Sequence, residues 1–157
     1  MKQAIYPGTF DPITKGHLDI IQRALKIFDK ITISILENPK KKPMFSVNER
    51  KEMIEQSTQG LNVEIEIYDG LLVDYATEKG NLPVIRGLRA VSDFDFEFQM
   101  AVANRQLNKD IEMIFLMTDK EYFYLNSTIL KDIAKHKGNV SHLVPKLVEQ
   151  RLKEKFQ

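Results

Sequence analysis

Tyr6-Pro7-Gly8-Thr9-Phe10-Asp11-Pro12-Ile13-Thr14-Lys15-Gly16-His17 joins a short apolar run, Gln3 to Tyr6, to a stretch whose apolar residues recur at helical spacing. A strand that turns through glycine and proline straight into a helix is the first half of a βαβ unit. The rest of the chain repeats it. Further β-rich runs stand at Ile31 to Glu37, Val63 to Tyr68, Pro83 to Ile85 and Ile111 to Met117, with helical patterns between them. In the first helix Leu18, Ile21, Leu25 and Phe28 fall three and four apart and form one apolar stripe. Ser46-Val47-Asn48-Glu49 fits the capping box that opens a second helix. A third runs from Leu71 to Lys79 and stops at Gly80, a residue suited to the left-handed position past a helix end. A fourth starts near Ser92, a fifth starts near Asn126 and ends at Gly138, and the charged tail from Pro145 to Phe156 has a helical period. This alternation predicts a Rossmann-like, doubly wound α/β fold: a five-stranded, mostly parallel sheet with helices on both faces. Residues 1–157 read as a single domain.

Charge and composition narrow the function. Lys+Arg 23 against Asp+Glu 22 leaves a net charge of +1, so no global field recruits nucleic acid or an anionic membrane, and any anion site must be local. The absence of cysteine excludes disulfides and thiolate metal sites. His17, His136 and His142 are scattered, which argues against a structural zinc, and His136 and His142 need only structural roles. The first residues lack the apolar core of a signal peptide, and no apolar run approaches the about 18 residues of a spanning helix, so a cytoplasmic address is expected.

Sheets of this kind bind ligands at the carboxyl ends of their strands, so the strand exits carry the chemistry. Neither G-x-G-x-x-G nor the P-loop pattern occurs. At the first exit Gly8 and Gly16 leave room for a ligand at the backbone, and His17 stands at a helix N-terminus. A lone histidine there is more often only a helix-start residue. At the second exit Asn38-Pro39-Lys40-Lys41-Lys42-Pro43-Met44-Phe45 is a basic loop, which taken alone is more often a solvated one, although its place at the mouth of the sheet favours an anion site. At the third, Leu72 and Val73 are ordinary core residues by composition. At the fourth, Arg86 and Arg89 flank Gly87 and Leu88, and their forked guanidinium groups suit phosphate as well as surface ion pairs. At the fifth, Asn126, Ser127 and Thr128 are helix caps, and the same helix end can receive a triphosphate tail.

Thr14-Lys15-Gly16-His17 matches the (H/T)-x-G-H signature of the nucleotidylyltransferase superfamily. The surrounding Tyr-Pro-Gly-Thr-Phe-Asp-Pro, the Lys-Lys-Pro-Met-Phe stretch and Arg-Gly-Leu-Arg with the following Ala90 to Glu97 resemble the phosphopantetheine adenylyltransferase family, from Ala4 to about Pro145. The resemblance implies that ATP and 4′-phosphopantetheine give 3′-dephospho-coenzyme A and pyrophosphate, the penultimate step of coenzyme A synthesis, with Mg²⁺ accompanying ATP and coenzyme A as a candidate inhibitor. It implies His17 and Lys41 as catalytic residues. Thr9, Phe10, His17, Gly87, Leu88, Arg89, Glu97 and the run Tyr122, Phe123, Tyr124, Leu125, Asn126, Ser127, Thr128 would face ATP. Thr9, Lys41, Leu72 and Arg86 would face the acceptor. The run departs from the family's usual Ile-Ser-Ser-Ser, and Phe123 replaces a small polar residue. A phosphate monoester has a second pKa of about 6, so the acceptor attacks the α-phosphorus directly and in line without a general base.

In the fourth helix Phe94, Phe98, Ala101 and Val102 share one side, and Phe96, Met100, Ala103 and Leu107 roughly the other. One stripe is expected to face the sheet, and the other to face a second subunit. The resemblance implies a hexamer of two trimers. Two rivals stand beside this reading. One is a transferase of the same fold acting on nicotinate mononucleotide, or on a phosphorylated alcohol with CTP, which Lys41, Arg86 and Arg-Gly-Leu-Arg argue against. The other is a nucleotide-binding regulator without chemistry, supported only by the departures at Asn126 and Phe123.

Overall fold

The computed structural model describes residues 1–37 and 42–157, the side chains of Val91 and Ser92 excepted. Its sheet has five parallel strands, β1 (Gln3–Gly8), β2 (Lys30–Glu37), β3 (Val63–Asp69), β4 (Val84–Leu88) and β5 (Met113–Met117), in the order β3-β2-β1-β4-β5. The chain builds outward from β1 to β3 and returns to the other side of β1 with β4. The connections leaving β1 and β4 therefore diverge, and a crevice opens above their carboxyl ends.

Strand alternation sorts side chains between two cores. On one face Ala4, Ile31, Ile33, Ile35 and Ile85 pack beneath α1 (Lys15–Ala24), α2 (Val47–Ser57), α5 (Ser127–Lys135) and α6 (Lys146–Lys155). Ile20, Ile21 and Ala24 of α1 are fully buried there, each large side chain contributing about 1.5–3 kcal/mol. On the other face Ile5 and Val84 meet Val73, Tyr75 and Ala76 of α3 (Leu72–Glu78). With both faces of the sheet covered, β1 and β2 are buried along most of their length, and the polar Thr32 and Ser34 of β2 are buried between its isoleucines.

The caps expected at Ser46 and Gly80 form: Ser46 and Glu49 complete a reciprocal capping box, and Gly80 has φ 78°. Other boundaries differ. α1 stops at Ala24, and Phe28 is buried from the turn beyond it. β4 continues through Leu88, so Arg86, Gly87 and Leu88 are strand residues and only Arg89 lies past the end. β5 begins at Met113 and not at Ile111. α5 ends at Lys135, and the left-handed residue is Lys137 at φ 60° rather than Gly138. The Lys137 and Gly138 amides donate to the Ala134 and Ile133 carbonyls, and a Cβ on Gly138 would meet Ile133 Cγ2 at 2.6 Å. Pro145 is the residue before α6, outside its first turn.

The largest correction concerns α4 (Val91–Leu107). Neither apolar stripe is buried: Phe94, Phe96, Phe98, Met100, Val102 and Leu107 are all exposed. The row toward the sheet is Asp93, Glu97, Ala101 and Asn104, with Glu97 and Asn104 buried. Polar residues turn inward because β4 offers α4 a charged strand residue, Arg86.

Candidate active site at the break in strand order

The first βα connection is set by its own hydrogen bonds. Thr14 caps α1, accepting from the His17 amide at 3.3 Å, and the Thr14 amide donates to His17 Nδ1 at 3.0 Å. The T-x-G-H motif is thus a capping box with histidine in the glutamate position. Because Nδ1 accepts that amide, the neutral ring carries its proton on Nε2. Burial, helped by Arg89 and Arg86, lowers the His17 pKa to about 4, so the ring is a neutral donor at pH 7. The Phe10 ring packs edge-on to the imidazole, centroids 5.1 Å apart. Gly8 makes room for that ring, since a Cβ there would come within 2.9 Å of it.

From β4, Arg86 donates Nε to Glu97 Oε2 at 2.7 Å, Nη2 to Oε1 at 2.5 Å and Nη1 to the Pro7 carbonyl at 3.2 Å. Arg89 is tied to Asp93 at 3.0 Å and to the Leu125 carbonyl at 2.9 Å. One side chain therefore links α4, the end of β4 and the entry to α5. Gly87 lets α1 approach, because a Cβ there would stand 3.1 Å from Ile20 Cγ1.

Two clefts open at the crevice. The first, about 280 Å³, is lined by Tyr6, Thr9, Phe10, His17, Arg86, Gly87, Arg89, Glu97, Thr118, Leu125, Asn126 and Ser127, among others. The second, about 480 Å³, shares Gly8, Thr9, Arg86 and Glu97 with it and extends past Asp69, Gly70 and Leu72 to Phe96, Met100 and Met113. Thr9, Phe10, His17, Arg86, Gly87, Arg89, Glu97, Leu125, Asn126 and Ser127 are thus brought together, and Leu72 lies in the adjoining space. Leu88, Tyr122, Phe123, Tyr124 and Thr128 line neither cleft. Leu88 follows Gly87 on the strand and points to the opposite face. Tyr122 closes a 3₁₀ turn (Lys120–Tyr122) and packs behind Gly16, while Phe123, Tyr124 and Thr128 are exposed. Asn126 is spent as the cap of α5, accepting from the Ile129 amide at 2.8 Å. Lys41 lies outside the described residues.

Sequence reasoning missed two residues here. Thr118 lines the first cleft from beyond β5, and only the strand order brings it there. Asp11, nearly buried, accepts from the Met44 and Phe45 amides and from Lys131 Nζ, each at 2.9 Å, and joins three distant segments. Its place within the Phe-Asp-Pro run was the one available hint.

The cytidylyltransferase-like family model matches residues 5–133. The phosphopantetheine adenylyltransferase of Alkaliphilus metalliredigens is 52% identical over 156 residues, covering 99% of both chains. That of Caldanaerobacter subterraneus subsp. tengcongensis is 50% identical over 157 residues, covering 99% of this chain and 98% of the relative. A crystal structure from Vibrio parahaemolyticus, assigned to a nicotinate-nucleotide adenylyltransferase, superposes with a TM-score of 0.70 over 99% of this chain and 95% of its own, at 18% identity, a likeness of fold alone. Sequence identity of this extent over nearly the whole chain, with the family model spanning residues 5–133, makes the chain a member of the phosphopantetheine adenylyltransferase family.

Proposed function

We infer that the chain transfers the adenylyl group of ATP to 4′-phosphopantetheine, giving 3′-dephospho-coenzyme A and pyrophosphate, the penultimate step of coenzyme A synthesis. The observation that carries this reading is the wall common to the two clefts, Thr9, Arg86 and Glu97. ATP would occupy the first cleft with its α-phosphate toward that wall. The pantetheine arm would follow the second toward Leu72, bringing its phosphate to the same wall from the other side.

At the junction two anions must be held end to end while charge grows on the α-phosphoryl oxygens. His17 acts as a neutral Nε2–H donor to one of those oxygens. Arg86, whose fork is already oriented by Glu97, faces the acceptor phosphate, and Lys41 joins from the second strand exit. Arg89 and the Gly87 backbone border the nucleotide, and the free amides opening α5 at Ser127 face its tail. Phe10 contributes through its backbone, its ring being buried. The dianionic acceptor attacks in line and pyrophosphate leaves without a covalent enzyme intermediate. Among the described residues no three His, Cys, Asp or Glu side chains gather to cage a metal, and Glu97 is engaged by Arg86. Mg²⁺ suits this site as an ion carried on phosphate oxygens and water, offsetting triphosphate charge when bound.

The exposed rows of α4 support a homo-oligomer, and the family arrangement of two trimers is the assembly proposed. Among the described residues no helix is long and apolar enough to cross a membrane; a cytoplasmic biosynthetic enzyme fits the reading. Mixing the purified chain with ATP, Mg²⁺ and 4′-phosphopantetheine should release pyrophosphate, with CTP and nicotinate mononucleotide as control donor and acceptor. No release with phosphopantetheine, or faster turnover with either control, overturns the assignment. His17→Ala should lower kcat about 10²–10³-fold, read by steady-state kinetics; an unchanged kcat with a raised KM would reduce His17 to uniform binding.

A further inference from the structure

Arg50 lies on α2, away from the cleft linings, yet it is only 2% exposed. A buried cation is tolerated only when paired and hydrogen-bonded, and an apolar residue in its place would often be as stable. Its partners are informative. Nη1 donates to the Thr9 carbonyl at 2.8 Å and Nε to the Phe45 carbonyl at 3.2 Å, while Nη2 stands 3.9 Å from Glu37. One fork therefore reaches from α2 to the first strand exit.

The Thr9 carbonyl belongs to the peptide unit leading into Phe10, and Phe10 has φ 47°, a conformation disfavoured for any residue with a Cβ. Its ring is wedged under Gly8 and against His17, so the backbone of Phe10 is what it can offer the cleft. The peptide is planar and trans, so a carbonyl held toward Arg50 sends the Phe10 N–H the opposite way. We propose that Arg50 is a positioning residue of the adenylyl transfer: by holding the Thr9 carbonyl it fixes the peptide that presents the Phe10 N–H to the transferring phosphoryl group. This rests on the reaction inferred above.

Pyrophosphate release by the wild-type chain tests that reaction first and independently of Arg50. Arg50→Lys then tests the proposal, because a single ammonium keeps the charge but cannot fork to two carbonyls. Per folded chain, with folding measured by circular dichroism, kcat should fall about 10–100-fold while the KM for phosphopantetheine stays within about threefold. The kcat ratio between the two diastereomers of adenosine 5′-O-(1-thiotriphosphate) should shrink about fivefold or more, since a displaced N–H no longer distinguishes the two α-phosphoryl positions. A merely structural arginine would lower the folded fraction and leave that ratio alone. Arg50→Met should lose more activity than Arg50→Lys; if it fails to fold, Arg50→Lys decides by itself. Wild-type kcat per folded Arg50→Lys chain, or an unchanged diastereomer ratio, overturns the proposal.

Discussion

His17, the donor proposed for the transfer, also supports stability through one hydrogen bond. Its Nδ1 accepts the Thr14 amide, so protonating the ring breaks the cap of α1 as well as charging a part-buried site beside two arginines. The folded pKa of about 4 lies below the ordinary 6.5, so the unfolded chain binds this proton first. The sign follows: the contribution is complete above pH 6.5 and is lost as pH falls from 6.5 toward 4, by up to roughly 2–3 kcal/mol. Urea unfolding at pH 7 and pH 4.5 should therefore show a smaller acid loss in His17→Gln than in the wild type. Glu97 makes a second prediction. Replacing it by alanine leaves the Arg86 guanidinium with only the Pro7 carbonyl and should cost about 2–4 kcal/mol in denaturant midpoint measurements, with activity falling as the fork loses its orientation.

Elements end and face as local chemistry dictates, and here the sequence was only partly legible. Lys137 holds a left-handed φ of 60° that glycine adopts freely, so Lys137→Gly should raise the melting temperature, worth up to about 1 kcal/mol, without changing turnover. The helix pattern alone ended α5 at Gly138, and glycine has two separate uses past a helix end: backbone freedom, and lack of a Cβ, which is its use here against Ile133. Capping boxes at Thr14 and Ser46 are local and depend on residues three apart, and Ser46 was readable for that reason. α4 was not. A wheel assumes that apolar residues turn inward, whereas the partner beneath this helix is the Arg86 guanidinium, which demands a carboxylate. Likewise Thr118 and Asp11 act across separations of 30 and 33 residues, which no short motif records.

For the molecule as a whole, the strand order explains why motifs from β1 and β4 meet, and the exposed rows of α4 carry the homo-oligomer proposed above. Phe94 leans against Phe98 and Phe115, and Leu107 and Met117 are each 66% exposed. A surface of this kind asks for a partner. Phe98→Glu should give a smaller species than the wild type by sedimentation at micromolar concentration, and an unchanged mass would place the interface elsewhere. The wall held jointly by the two clefts has one more outcome. In the proposed reaction dephospho-coenzyme A joins the adenylyl group to the acceptor, with pyrophosphate gone, so it would surrender translational freedom once where the separate reactants surrender it twice. Product should accordingly act as a chelate, displacing nucleotide and acceptor alike in a competition-binding assay.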